Sequence, residues 1–334
     1  MKGKQRFSSP ILFTIAIVFL ALIATSIGVT YIPMDVVFKA IGIKLGLFAN
    51  SDIPNSLLLT ITELRLPRVV ASLIAGATLA ICGAVFQSIF RNPICDPYML
   101  GISSGASLGA AIAFTIGWDI SIFGITIPAL ITALITLAVI LAVSQVGKHK
   151  NTEKILLTGI AINFLISAVI TLLMVINQQE MQKIVFWTMG SLASITWHNI
   201  LFMLPVAVLA IFPLFYFAKD LNIMQLGSET AKSLGVNTQR VTLIVLISSS
   251  LLIASVVSVC GVIGFIGLIV PHIVRFIFGN NNRTLFLYSI FFGALFMLVA
   301  DTLARTLAIP SELPVGSITA LAGAPYFIYL LLKK

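Results

Sequence analysis

The longest stretch without a charged residue limits what this chain can fold into. Between Arg240 and Arg275 lie 34 residues, none of which is Asp, Glu, Lys or Arg. One straight helix of this length would extend about 51 Å at ~1.5 Å per residue, whereas the hydrocarbon core of a bilayer is about 30 Å thick. The stretch suits a membrane only if it turns back. We expect the turn at its glycines and proline: Gly261, Gly264, Gly267 and Pro271.

The rest of the chain has the same apolar character. Of its 334 residues, 59% are apolar and 9% are charged, whereas soluble domains carry about 25% charged residues. This composition excludes an ordinary soluble enzyme, a disordered tail and a disulfide-stabilised scaffold. The apolar residues suffice for roughly ten spans of about 20 residues each. The sequence therefore predicts an all-α integral membrane protein with one transmembrane domain, 1–334.

Charge-poor runs bounded by charges or by Gly and Pro predict ten membrane-spanning helices. They are 11–31, 65–90, 99–117, 122–147, 154–176, 199–218, 240–260, 267–278, 284–306 and 315–332. The first run is longer than the apolar core of a signal peptide, so we interpret it as a span. Residues 32–63 are too polar to span and are predicted to be external, with an amphipathic part, 34–47, on the membrane surface.

The basic residues indicate an orientation. Ten spans place both termini on one side of the membrane. If the termini, including residues 1–10, are in the cytoplasm, 14 basic residues fall on the cytoplasmic side and 6 on the external side. Such a bias is typical of membrane proteins. We therefore attribute the net charge of +9 to cytoplasmic loops and expect no nucleic-acid partner.

A possible internal repeat is visible. Cys82-Gly83 with Pro93 recurs as Cys260-Gly261 with Pro271, both at an offset of 178 residues. Five spans per half would give two halves of opposite orientation, the inverted repeat of many transporters. Chance recurrence in a glycine-rich chain is the open alternative.

The sequence contains no set of residues that catalysis or metal binding requires. The histidines are far apart, no phosphate-binding loop is present, and the cysteines lie in or beside apolar runs, as small buried hydrophobes do. These residues are His149, His198, His272, Cys82, Cys95 and Cys260. We predict no catalytic residue, no metal site and no cofactor.

Four charged residues stand out against the membrane topology. Asp301 is the only acidic residue well inside a span, and Arg305 follows it by four residues, at the spacing of a local ion pair. Arg65, Arg68 and Arg305 all fall on the predicted outer side, against the positive-inside bias. Two interpretations are open: the arginines bind carboxylates of a partner, or they extend to the lipid headgroups.

Several short stretches are distinctive in combination and extend over nearly the whole chain. They are residues 64–68 (Leu-Arg-Leu-Pro-Arg), 91–97, 100–106, 226–236, 264–272, 312–316 (Glu-Leu-Pro-Val-Gly) and 323–325 (Gly-Ala-Pro). With them the chain resembles the permease subunits of type II ABC importers, the FecCD family of ferric-siderophore, haem and cobalamin permeases. The resemblance implies a non-enzymatic permease in the cytoplasmic membrane of a bacterium. Ferric siderophore is the first expectation for its substrate, and haem and cobalamin are the alternatives.

The resemblance also implies partners and site residues. The partners are a second permease, identical or homologous, two ATPase subunits that hydrolyse ATP, and an external substrate-binding protein. Acidic residues of the binding protein would meet Arg65, Arg68 and Arg305. Within the cytoplasmic loop 219–238, the residues that would contact the ATPase are Gly227, Ser228, Glu229, Ala231, Lys232, Leu234 and Gly235.

Two further groups concern the transport pathway. The resemblance places a cytoplasmic gate at Asn92, Pro93, Ile94 and Thr152, and it places Ser103, Ser104, Gly105 and Ser107 along the pathway. Close helix packing is the alternative role of these small residues. We expect an apolar, weakly binding pathway wall, because a bulky substrate must slide through and leave.

Two other classes of function are alternatives. An ion-driven secondary carrier would require essential carboxylates within the membrane, and the sequence offers Asp301 alone. A membrane-embedded enzyme would require a cluster of His, Asp or Glu at one depth, which the sequence lacks.

Overall fold

The computed structural model describes residues 10–48, 53–121, 123–145 and 152–332, and the regular structure of these residues is entirely helical. The helices are α1 Pro10–Ser26, α2 Met34–Lys44, α3 Asn55–Leu59, α4 Leu66–Ile89, α5 Ile102–Thr115, α6 Thr126–Gln145, α7 Thr152–Ile176, α8 Met181–Thr188, α9 Trp197–Tyr216, α10 Ala218–Met224, α11 Ser228–Ser233, α12 Thr238–Cys260, α13 Ile266–Phe278, α14 Asn282–Thr306 and α15 Val315–Leu332. A π-helical turn, Thr60–Arg65, joins α3 to α4, and 3-10 turns lie at Pro97–Leu100 and Trp118–Ile120.

The ten predicted spans are confirmed as ten apolar helices. Six helices are long and apolar enough to cross a membrane, and the one that combines α3, the π-helical turn and α4 is 35 residues long. The four shorter apolar helices are α1, α5, α13 and α15. Two predictions reach beyond the described residues: the cytoplasmic N-terminus, of which only Pro10 is described, and the ends of span 122–147.

The expected turn in the uncharged stretch lies between α12 and α13. Gly261, with φ 70°, ends α12, and Phe265, with φ 68°, precedes α13. The expectation that Gly267 and Pro271 also turn the chain is wrong, since both lie inside α13. Gly267 serves close packing instead: a Cβ atom on Gly83 of α4 would lie 1.8 Å from the Gly267 carbonyl oxygen.

Pro271 is accommodated within α13 by a side chain of another helix. Proline lacks an N–H group, so the carbonyl of residue 267 loses its usual helical partner. The Nε2 atom of Gln87 on α4 donates to the carbonyl oxygens of Gly267 and Leu268, each at 3.3 Å. From the sequence alone, Pro271 is expected to break a helix. The compensating donor, Gln87, is 184 residues away in the sequence, so no local pattern reveals it.

Helix α4 lies at the centre of the bundle and contacts α9, α12, α13 and α14. It also approaches α14 closely: a Cβ atom on Gly76 would lie 2.2 Å from the Gly293 carbonyl oxygen, and one on Gly293 would lie 2.3 Å from that of Gly76. Small residues allow this approach, as in other membrane helix pairs. The two helices therefore form one packed unit along the length of the bundle.

Two ends of the bundle can be defined from α4. Its first turn contains Arg68, and the end of the bundle with Arg65, Arg68 and Arg305 is called the arginine end. Its last turn contains Ser88, which donates to Asn282 of α14, and Asn282 in turn donates to Asn222 of α10; this opposite end is called the α11 end.

The described parts of the segment 32–63, residues 32–48 and 53–63, pack on the arginine end. Lys44 of α2 donates to the Thr62 carbonyl oxygen at 3.2 Å and lies 4.6 Å from the centre of the Trp197 ring. The Trp197 indole also donates to that oxygen, at 2.8 Å. The structure differs from the expectation in one respect: residues from Asn55 onward are helical and continue into α4, so this span begins earlier than residue 65.

The residues of the possible repeat occupy different local structures. Cys82 and Gly83 lie within α4, whereas Cys260 ends α12 and Gly261 is in the turn. Pro93 is in a loop and Pro271 in a helix. These matches give no support to an inverted repeat. All three cysteines are buried and unpaired, as expected of small apolar side chains.

Candidate functional site

Arg68 holds two carboxylates at the arginine end. Its Nε atom lies 2.9 Å from Oδ1 and 3.2 Å from Oδ2 of Asp301, and its Nη1 atom lies 2.7 Å from Oε2 of Glu312. Asp301 is completely buried, whereas the Glu312 side chain is 34% exposed. Arg68 therefore links a carboxylate in the protein interior to one at the surface.

Arg305 and Arg65 complete the cluster by binding the end of α1. Arg305 forms the expected ion pair with Asp301, at 3.2 Å, and donates to the carbonyl oxygens of Ala24 and Ile27. Arg65 donates to the carbonyl oxygens of Thr25, Ser26 and Thr30. The last carbonyls of a helix have no partner within it. The guanidinium groups supply those partners, and α1 ends at Ser26, before the expected residue 31.

The three arginines thus lie together, as the sequence suggests, but their side chains are inside the protein. Arg65, Arg68 and Arg305 are 9%, 7% and 4% exposed. The interpretation that they extend to lipid headgroups is therefore wrong, because the side chains are buried and contact carboxylates and carbonyl oxygens of this chain. Contact with a carboxylate of a binding protein stays a prediction.

The loop predicted to contact an ATPase forms two short helices at the other end. Gly227, with φ 129°, precedes α11, and Gly235, with φ 84°, follows it. Ala231 is buried, and Glu229 pairs with Lys232 at 3.1 Å on the exposed face of α11. Leucines on either side of α11, Leu226 and Leu234, are 70% and 60% exposed. Ser228 is also exposed, so α11 presents polar and apolar groups together.

The predicted gate residues are only partly placed. Asn92, Pro93 and Ile94 form an exposed turn after α4, in which the Asn92 side chain accepts a hydrogen bond from the Ile94 N–H at 3.0 Å. Thr152 is the first residue of α7. Residues 146–151, which precede it, lie outside the described part of the chain. The gate therefore stays a prediction.

Most of the predicted pathway residues are buried against other helices of this chain. Ser103, Gly105 and Ser107 are buried, and a Cβ atom on Gly105 would lie 2.3 Å from Thr136 Oγ1 on α6. Ser104 is half-buried and donates to Asn163 on α7. Close helix packing accounts for the first three; Ser104 is the member nearest to an open surface.

Sequence reasoning missed Glu312 as a partner of Arg68, although the residue is in one of the distinctive stretches. An acidic residue in a loop on the same predicted side as three arginines is the signal that would have found it. Among the described residues, no group of three or more His, Cys, Asp or Glu lies close enough to hold a metal ion.

The ten apolar helices, the ionic cluster at one end and the short helix α11 at the other define a polytopic membrane permease. Residues 15–333 match the model of the FecCD transport family, and the chain belongs to this family.

Named relatives agree with this assignment. The chain is 37% identical to the hemin transport system permease protein HmuU of Yersinia pestis, over 81% of this chain and 83% of the relative. It is 37% identical to the cobalamin import system permease protein BtuC of Halobacterium salinarum, over 84% and 75%. It is 33% identical to the Fe(3+) dicitrate transport system permease protein FecC of Escherichia coli, over 82% and 83%.

A solved structure shares the fold. It shows an inward-facing conformation of a transporter provisionally assigned to the metal-chelate type ABC transporters, with a TM-score of 0.84 and 32% identity over 97% of this chain and 99% of that one. The chain is thus a permease subunit of an ABC importer and not an enzyme; ATP hydrolysis belongs to a separate subunit.

Proposed function

We propose that this permease moves an iron chelate, with a ferric siderophore as the first candidate, into a bacterial cell. The observation that carries the proposal is the similarity, at 33–37% identity over more than four fifths of the chain, to permeases named for hemin and for Fe(3+) dicitrate. A relative named for cobalamin is equally similar, at 37%. Haem and cobalamin are therefore the alternative substrates.

The proposed orientation places the arginine end outside and the α11 end, with both chain termini, in the cytoplasm. It is supported by the basic residues at the α11 end, which include Lys219, Lys232, Arg240 and Arg283. Cytoplasmic loops of membrane proteins are enriched in such residues.

An external binding protein would deliver the substrate to the arginine end. We propose that one of its carboxylates takes the place of Glu312 on Arg68, while Asp301 stays bound. The exchange is chemically conservative, because one carboxylate replaces another on the same guanidinium group. Arg65 and Arg305 would support the site by holding α1 in place.

At the other end, two ATPase subunits would contact α11 and its flanking leucines. A second permease, identical or homologous, would complete the pathway between the two subunits. The turn at Asn92, Pro93 and Ile94 and the start of α7 at Thr152 would form its cytoplasmic gate. Of the predicted pathway residues, Ser104 would face the substrate; Ser103, Gly105 and Ser107 would require helix movement to do so.

A secondary carrier is the rival function, and the ion pairs of Asp301 argue against it. The carboxylate is bound by Arg68 and Arg305 in the interior, so its charge is compensated by fixed groups and serves the packing of α4 against α14. Among the described residues, no second acidic side chain is buried within a membrane helix; Glu63, in the helix that leads into α4, is about half exposed and pairs with Lys44.

Reconstitution in proteoliposomes tests the proposal. The assembled transporter with its binding protein should accumulate a ferric hydroxamate only when ATP is present, and haemin and cobalamin should be accumulated less. The chain reconstituted alone should be inactive with all three cargoes. Accumulation by the chain alone, driven by a proton or sodium gradient, would show a secondary carrier instead.

A further inference from the structure

A cluster of amides and a hydroxyl, distant from the arginine end, joins three helices at the α11 end. Asn282, the first residue of α14, is fully buried. Its backbone N–H donates to Asn222 Oδ1 on α10 at 2.8 Å. Its own Oδ1 atom lies 2.7 Å from the Ser88 hydroxyl on α4 and 3.5 Å from Gln225 Nε2, just after α10. We call Ser88, Asn222, Gln225 and Asn282 the Asn282 cluster.

The cluster contains polar groups that a rearrangement could pair. The Ser88 hydroxyl lies within reach of both the Ala84 carbonyl oxygen, at 2.8 Å, and Asn282 Oδ1, but it has one proton to donate. Within the described residues, the buried Asn282 Nδ2 donor has no hydrogen-bond partner. Buried polar groups are normally paired, so the unused Asn282 donor and the two acceptors within reach of Ser88 leave this joint free to adopt a different set of hydrogen bonds.

The position of the cluster gives it a mechanical role. On one side, α10 leads within a few residues into α11. On the other side, α4 and α14 run as one packed unit, with Gly76 against Gly293, to the ion pair of Arg68 and Asp301 at the opposite end. Asn282 is the residue at which the two parts meet.

We propose that Asn282 is a positioning residue that transmits movement of α11 to the α4–α14 unit. The inference rests on the proposed function, in which an ATPase subunit moves α11. Because the unit is tied by buried polar bonds at both ends, a shift of α10 against Asn282 displaces the arginine end as well. The cluster is the two-state element that such coupling between distant sites requires.

A distance measurement in the assembled transporter tests this role without knowledge of the cargo. Cysteines introduced as Ile120→Cys and Ser311→Cys, both exposed at the arginine end, carry spin labels; the native cysteines are buried. The distance between the labels is measured before and after trapping with ATP and vanadate. The substitution Asn282→Leu removes the polar groups at similar size, and Asn282→Asp keeps an acceptor for Ser88 and Gln225.

We expect that the Asn282→Leu transporter still hydrolyses ATP, while the vanadate-induced change in distance falls at least fivefold. Asn282→Asp should retain at least half of the change. Asn222→Ala, at a half-buried position that tolerates substitution better, should reduce the change in the same direction and serves as the second variant if Asn282→Leu does not assemble. The control is Ser289→Ala, a buried hydroxyl on the same helix that has no hydrogen-bond partner among the described residues, and it should behave as the unsubstituted protein.

A full change in distance in Asn282→Leu or in Asn222→Ala would overturn the proposal, as would an equal loss in Ser289→Ala. The unsubstituted transporter separates this failure from that of the proposed function. If its labels do not move when ATP and vanadate are added, ATP does not drive this permease and the proposed function fails with the inference.

Discussion

The guanidinium group of Arg68 lies 2.9 Å from the carboxylate of Asp301, which binds α4 to α14 across 233 residues of sequence. Both side chains are buried, and Arg305 approaches the same carboxylate at 3.2 Å. Asp301 is thus the buried anion between two buried cations. Its removal leaves Arg305 in the interior without an anion and leaves Arg68 with the partly exposed Glu312 alone.

The substitution Asp301→Asn should therefore destabilise the protein strongly. Loss of one partner of a buried ion pair costs about 3–5 kcal/mol, because the remaining charge stays buried and uncompensated. The measurement is the unfolding temperature of the purified chain in detergent, which should fall markedly.

Glu312→Gln is the matched control for this prediction. Its carboxylate binds the same arginine but is partly exposed, and ion pairs at the surface contribute about 0–1 kcal/mol. The two variants should differ clearly in unfolding temperature. Equal temperatures would contradict the structural role of Asp301, as would a change in the energy source of transport in Asp301→Asn.

The helices could be predicted from the sequence because each depends on a local pattern. A run of apolar residues long enough to cross a bilayer indicates a span wherever it occurs, and all ten runs are helices. The existence of a turn after Cys260 follows from length, since the uncharged stretch exceeds the bilayer thickness, and its position follows from Gly261 and Gly264. The short helices α8 and α10 were missed, because neither has the length or the apolar run that identifies a span.

The pairs that hold the helices together could not be predicted in the same way. Arg68 with Asp301, Ser88 with Asn282, and Gln87 with the carbonyl that Pro271 leaves unpaired are separated by 180 residues or more. Helical periodicity gives the face on which a residue lies, but not its partner on another helix. The local pair of Asp301 and Arg305 was predicted because four residues separate them on one helix.

The docking proposal predicts that Glu312→Gln strengthens binding of the external protein. The substitution weakens the internal competitor for Arg68, since a neutral amide forms a weaker hydrogen bond than a carboxylate. Given that the pair is partly exposed, the dissociation constant should fall by about 2- to 10-fold, which is up to ~1.4 kcal/mol. Titration of the binding protein onto the permease complex in nanodiscs measures it.

Arg68→Lys provides the opposite change for this measurement. A lysine keeps the charge but loses the planar fork that holds two carboxylates, so binding should weaken. If both substitutions leave the dissociation constant as it is in the unsubstituted protein, the binding protein does not use Arg68.

The coupling proposal predicts that Leu234→Ala weakens attachment of the ATPase subunit. Leu234 is 60% exposed beside α11, and burial of a leucine side chain contributes about 1.5–3 kcal/mol. Truncation should weaken the complex by roughly tenfold, as ~1.4 kcal/mol corresponds to a factor of ten. Co-purification and titration of the ATPase subunit measure it.

Leu209→Ala is the control for the coupling prediction, because Leu209 is 74% exposed but lies on α9, in a membrane span. It should leave the affinity for the ATPase unaltered. An equal loss in both variants would mean that the substitutions disturb the fold in general. If Leu234→Ala causes no loss of affinity, Leu234 does not contact the ATPase subunit.

The packed unit of α4 and α14 leads to the last prediction, that Gly76→Ala destabilises the bundle. The added Cβ atom would lie 2.2 Å from the Gly293 carbonyl oxygen and 2.5 Å from the Met297 Cβ atom, and backbone cannot yield as a flexible side chain does. Such overpacking costs about 1–3 kcal/mol.

Gly264→Ala is the control, since a Cβ atom there meets nothing within 4 Å and its backbone is not left-handed. Unfolding of both variants in detergent should separate them, with Gly76→Ala less stable. In the assembled transporter it should also reduce ATP-dependent movement of the arginine end, because the two helices could no longer pack as one unit. A Gly76→Ala protein as stable as Gly264→Ala would show that the helices are not in close contact.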